Sequence, residues 1–192
     1  DSSQSRGLGD VYKRQPMGLT PVVRQTTSTL DGDLPYAGEG SESIYEATLD
    51  SFEDEITLLF GETIDGSSDY LGVAGSIPGT LTANTRSAVV MGWIANAGAD
   101  GSFSALDISI MGETMAHEVG HFMGLFHPVE QTFDRWDACD DTPNCASATE
   151  CEGVLGNNLM YPAPVCDFTS CIEQDQLSDV QVEILQRYTG AL

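Results

Sequence analysis

His117, Glu118, His121 and His127 are the residues of this chain whose types and spacing can do chemistry. They stand in one segment, HEVGHFMGLFH, residues 117–127. Histidines four apart on a helix project from one face, so His117 and His121 can present two nitrogen ligands to one metal ion. Gly124 permits a sharp turn after the helix, and His127 then closes a third coordination position. Three protein ligands with a fourth position left for water are the arrangement of a catalytic zinc site and not of a structural one. Glu118 lies beside the first ligand, where its carboxylate can take a proton from a zinc-activated water and return it to a leaving amine. That chemistry is peptide-bond hydrolysis. The chain has three histidines, and all three are in this segment, which argues against a chance match on an ordinary amphipathic helix.

Two further groups of residues have chemical potential. Cys139, Cys145, Cys151, Cys166 and Cys171 cluster near the C-terminus in a stretch rich in Asp, Asn and Pro. Such clustering reads as disulfide stapling, and so as an oxidising, extracellular setting. A second zinc site is the rival reading, weakened by the absence of a CxxC pair and by the commitment of every histidine elsewhere. The odd count leaves one thiol free or paired outside the chain. Asp137, Asp140, Asp141 and Thr142 offer hard oxygen ligands suited to calcium. The alternative is a solvated acidic turn whose Asp side chains cap local amides.

The elements that must position these groups are partly visible. The active segment belongs to a helix expected over 111–125, with Met115, Val119, Phe122 and Phe126 at helical spacing and Glu113 near its positive end. Pro128 stops it. Upstream, strands are expected over 20–27, 55–60, 70–74 and 88–93, with an amphipathic helix over 41–54 carrying Ile44, Leu49 and Phe52. Residues 30–40 read as turns. Residues 127–175 read as irregular. A last helix is expected from Ser178, whose spacing to Gln181 fits a capping box, with Leu177 and Val182 as a hydrophobic staple.

Composition bounds the function. Thirty acidic residues against seven basic ones give a net charge of −23, which excludes nucleic acid and disfavours an anionic membrane surface as partners. The longest apolar runs are far short of the ~20 residues of a membrane span. Residues 1–16 hold the chain's one lysine, lack periodicity, and are expected to be a non-native or disordered scar. Residues 17–192 are expected to form one domain, with an upper part over 17–127 and a lower part over 128–192.

The zinc segment followed by NLM at 158–160 resembles the metzincin signature of HExxHxxGxxH and a methionine turn. The long Cys-bearing link with DDTP at 140–143, and GVAGSIPGT at 72–80, make the chain most similar to the pappalysin group. The resemblance implies Met160 as an apolar floor under the zinc ligands, and it supports calcium at residues 137–142. Pappalysins carry a Tyr two residues after the Met. Here Tyr161 follows Met160 directly and Pro162 takes the second place, as in matrixins, so Tyr161 is either a transition-state support or a packing residue. The implied fold is α/β: a mixed, twisted sheet of four or five strands between a backing helix and the active-site helix. A disulfide-stapled lower part follows, ending in a helix. The implied protein is a secreted, monomeric zinc endopeptidase whose protein or peptide substrate lies extended along an edge strand near 71–76. A matrixin-like protease and an inactive zinc-bearing binding domain are the alternatives.

Overall fold

The computed structural model describes residues 32–34, 42–49, 55–167 and 170–190. The leading segment 1–16 and the strand expected over 20–27 lie outside them.

The most apolar strand organises the fold. β2 (Thr57–Gly61), β4 (Gly72–Ala74) and β5 (Ala88–Gly92) form a mixed sheet in the order β2-β5-β4, with β5 parallel to β2 and antiparallel to β4. All five residues of β5 are buried, as expected of a central strand covered on both faces. Successive side chains alternate between faces. Ala88 and Val90 join Leu34, Ile44, Leu59 and Ile64 in one cluster. Val89 and Met91 join Ala116, Val119, Phe122, Met160 and Leu185 in another. A short pair, β1 (Asp33–Leu34) and β3 (Thr63–Ile64), runs parallel beside this sheet. The described strands therefore make a three-stranded mixed sheet and a separate pair, not one sheet of four or five. Strand β1 falls where the sequence reads as turns.

Helix α1 (Glu42–Thr48) backs the sheet through Ile44. It is shorter than the expected 41–54: Leu49, counted as part of its apolar stripe, is exposed, and Phe52 lies outside the described residues. A single turn, α2 (Trp93–Asn96), follows β5. Helix α3 (Ala105–Phe122) covers the other face. It starts six residues before the expected 111, because Ser104 and Asp107 make a reciprocal capping box. Leu106 and Ile108 in its first turns are exposed, so the buried stripe begins later than the helix. Glu113 is consequently interior to α3, where it accepts from the Gln174 backbone N–H. The helix also ends before the expected 125, and Phe126 is exposed instead of buried.

Beyond residue 127 the chain is less irregular than expected. Ser147 caps α4 (Ala148–Leu155), whose Cys151 and Leu155 pack with Val129, Cys145 and Tyr161 in a third cluster. The last helix, α5 (Asp179–Gly190), has the expected Ser178–Gln181 capping box. It returns to the main core, where Leu185 is buried and Tyr188 meets the Phe122 ring edge-on. Leu177 and Val182 pack against the same core. Disulfides join Cys145 to Cys151 and Cys166 to Cys171, and Cys139 is free. No helix among the described residues is long and apolar enough to cross a membrane.

Candidate metal centre

His117 and His121 occupy the last two turns of α3, whose inner face rests on Met160. Gly120 lies between them. A Cβ there would stand 2.6 Å from the Met160 sulfur, so the absence of a side chain lets the buried methionine lie directly against the ligand-bearing helix. Gly124 has φ +106°, a conformation open to glycine and strained for other residues. The turn it makes ends α3 and folds the chain back, so that His127 Nε2 comes to 3.1 Å from His117 Nε2 and 3.0 Å from His121 Nε2.

The outer nitrogens fix the tautomers. His117 Nδ1 is 2.7 Å from the Leu159 carbonyl oxygen, and His121 Nδ1 is 2.6 Å from that of Leu125. A carbonyl only accepts, so both Nδ1 atoms carry the proton and both Nε2 atoms carry a lone pair. His127 Nδ1 is 3.1 Å from Glu130 Oε2, which assigns it the same tautomer. Three Nε2 lone pairs then face one another and cannot hydrogen-bond among themselves. Tetrahedral coordination at a zinc–nitrogen length of ~2.0–2.1 Å places its nitrogens ~3.3 Å apart, close to the separations observed. The donor set thus fits a dication such as zinc. Among the described residues, these three form the one cluster of His, Cys, Asp or Glu close enough to share a metal ion.

Electrostatics prepare the same state. Burial, with His121 and His127 adding to it, holds His117 well below the usual imidazole range. Burial also pushes His121 down to about 4. Both imidazoles are therefore neutral at pH 7, the form that ligates. Glu118 is buried under β4 and pushed up to about 7 by desolvation, while the Ala74 backbone N–H donates to it and partly offsets the rise. Among the described strands β4 lies at the edge of its sheet, so the general-base candidate and that strand meet at this hydrogen bond.

Met160 is fully buried beneath α3, against Gly120. Its N–H donates to Asn158 Oδ1, and Asn158 Nδ2 donates to Gln181 Oε1 of α5. Tyr161 packs with Val129, Leu155 and the Cys145–Cys151 pair, and burial and Glu152 raise its phenol above the ordinary range. In the acidic segment, the Thr142 hydroxyl donates to Asp137 Oδ1 at 2.5 Å, and Asp137 Oδ2 is buried without a hydrogen-bond partner. Asp141 turns away to accept from the Val180 N–H at the start of α5, and Asp140 is exposed. The Cys139 thiol is pushed up to about 12, by burial first and then by Asp137, Asp141 and Asp140.

Four participants are not visible from motif spacing. The Leu159 and Leu125 carbonyls and the Ala74 N–H are main-chain groups with no residue-type signal. Glu130 does carry one, a carboxylate three positions after the last ligand. Beside His127 opens a cleft of about 670 Å³, bordered by Phe126, Glu130, Arg135, Trp136 and Asp137. Comparison of the chain with protein-family models, curated proteins and solved structures finds no match.

Proposed function

We propose that this chain is a secreted zinc endopeptidase of metzincin type, most similar to the pappalysins. The observation that carries the reading is the convergence of three Nε2 lone pairs, each fixed by an outer hydrogen bond, with Glu118 buried on the same helix. His117, His121 and His127 would hold the zinc. When bound, zinc supplies Lewis acidity, polarising a peptide carbonyl and acidifying a water molecule.

The chain's own residues supply the rest. Glu118, buried on the same helix, takes the water's proton on a carboxylate oxygen and passes it to the leaving amine. Strand β4 is the strand along which an extended substrate would lie, and the Ala74 N–H holds Glu118 beside it. Met160 supplies an apolar floor. Tyr161 is best read as packing beneath the site, because its ring belongs to the Val129–Leu155 cluster. Two disulfides support an oxidising, extracellular setting.

The test is cleavage of casein by the purified protein, with a chelator and after zinc is returned. Loss with the chelator and recovery with zinc are expected. A protein that binds zinc and cleaves nothing would instead be a binding domain.

A further inference from the structure

The three ligands are not oriented alike. His117 and His121 give their Nδ1 protons to main-chain carbonyls that the fold fixes in place. His127 gives its proton to the side-chain carboxylate of Glu130, at 3.1 Å. We propose that Glu130 is a positioning residue of the metal centre: it holds the His127 ring and sets how tightly the site retains its ion. The inference rests on the zinc reading above.

His127 needs such a partner more than the other two do. It lies beyond the helix end, on the segment released by Gly124, and its side chain is 23% exposed. An imidazole without an outer partner can flip about its Cβ–Cγ bond, which puts Cε1 where Nε2 stood, or can carry its proton on Nε2; either change removes the lone pair from the site. A carboxylate accepting from Nδ1 fixes both ring and tautomer and raises the basicity of Nε2. An ionised acceptor also makes a stronger bond than a neutral carbonyl does. The negative charge of Glu130 further offsets the charge that a dication would bring to three neutral imidazoles.

The local backbone keeps the carboxylate in place. Val129 bridges Trp136, the Glu130 N–H donates to the Arg135 carbonyl, and the Phe133 N–H donates to the Glu130 carbonyl. Glu130 therefore stands at the base of a tight hairpin. The Gln131 side-chain amide ties that hairpin to the Pro162 carbonyl, just past the methionine turn. The Glu130 side chain is 44% exposed, so its removal leaves only a water-accessible His127 N–H behind. The fold should tolerate the change.

The experiment measures the zinc dissociation constant by competition with a chromophoric chelator, for wild type and for Glu130→Ala, Glu130→Asp and Glu130→Gln. Ala and Asp should both weaken binding by about 10–100-fold, because Asp keeps the charge but is one methylene too short to reach Nδ1. Gln keeps an acceptor oxygen without the charge and should fall between. Melting temperatures of the zinc-free proteins should coincide. The positioning role is overturned if Ala binds within about twofold of wild type. It is equally overturned if Asp binds like wild type while Ala is weak, since a charge nearby would then suffice. Either result leaves the zinc reading standing. A wild-type chain that binds no zinc would overturn both.

Discussion

The His117 Nδ1 proton is held by the carbonyl of Leu159, the residue immediately before Met160. The first histidine of the cluster and the turn at Met160 are thereby joined through one hydrogen bond of 2.7 Å. Leu159 is in turn gripped through its own N–H by the Gln176 carbonyl, and Met160 through its N–H by Asn158. The segment around Met160 thus orients a histidine that α3 carries.

Asn158→Ala should expose the dependence. The change leaves the buried Met160 N–H without its acceptor and removes a partner from the buried Gln181 amide. A cost of about 1–3 kcal/mol is expected, read as a lower midpoint in urea unfolding. Asn157→Ala, at an exposed neighbour, should stay within ~0.5 kcal/mol of wild type. Equal midpoints for the two variants would show that the methionine turn does not depend on this amide.

Glu118 gives the metal-free protein a pH signature. Its folded pKa, about 7, lies above the ordinary 4.5, so the folded chain keeps a proton that the unfolded chain gives up in that window. Stability from this group is therefore lost as pH rises from about 4.5 to 7, by an amount on the order of 3 kcal/mol. His117 and His121, held low, act in the opposite sense and lose stability on acidification. They are common to wild type and Glu118→Gln and largely cancel in a comparison. In a chelator, the variant should match wild type near pH 5 and exceed its melting temperature increasingly toward pH 8. A difference that stays constant over that range would contradict the burial of an ionisable carboxyl.

The cysteines should differ in reactivity. Cys145 and Cys151 are both buried, whereas Cys166 is exposed and Cys171 half-buried. Mild reductant without denaturant should open Cys166–Cys171 first and leave Cys145–Cys151 intact. Cys139, with its thiol pushed up to about 12, should label slowly with iodoacetamide at pH 8. Mass mapping of labelled peptides checks the order. Five rapidly labelled thiols would contradict both the pairing and the oxidising setting.

The calcium expectation turns on Asp137, whose buried Oδ2 has no hydrogen-bond partner among the described residues. A titration at fixed zinc should raise the melting temperature, and Asp137→Asn should abolish the rise. Asp141→Asn should leave it in place and lower stability separately, because that carboxylate caps α5. A melting temperature indifferent to millimolar calcium would make the segment a solvated acidic turn.

The three-histidine cluster was legible because its geometry is local. Spacing of four on a helix and one glycine turn bring three rings near one another within eleven residues, and the remaining fold supplies only the contacts that orient them. The backing helix, the central strand and the Ser178–Gln181 cap were legible for the same reason. The start of α3 was not, because its cap uses Asp107 where the familiar pattern has Glu or Gln, and its first turns face solvent. Helix α4 escaped notice because its buried face is only Cys151 and Leu155, and the cysteine reads as a staple. Strand β1 is two residues long, and its pairing with β3 is a tertiary fact. Glu130 sits plainly in HPVE, but its contact with His127 depends on a hairpin that no periodicity announces.

The most direct test of the proposed chemistry compares zinc content and casein cleavage in wild type and Glu118→Gln at pH 7.5. Glu118 is not one of the three ligands, so both proteins should hold one zinc per chain while the variant's kcat/KM falls by orders of magnitude. A variant that holds its zinc and keeps more than about a tenth of wild-type kcat/KM would contradict the account.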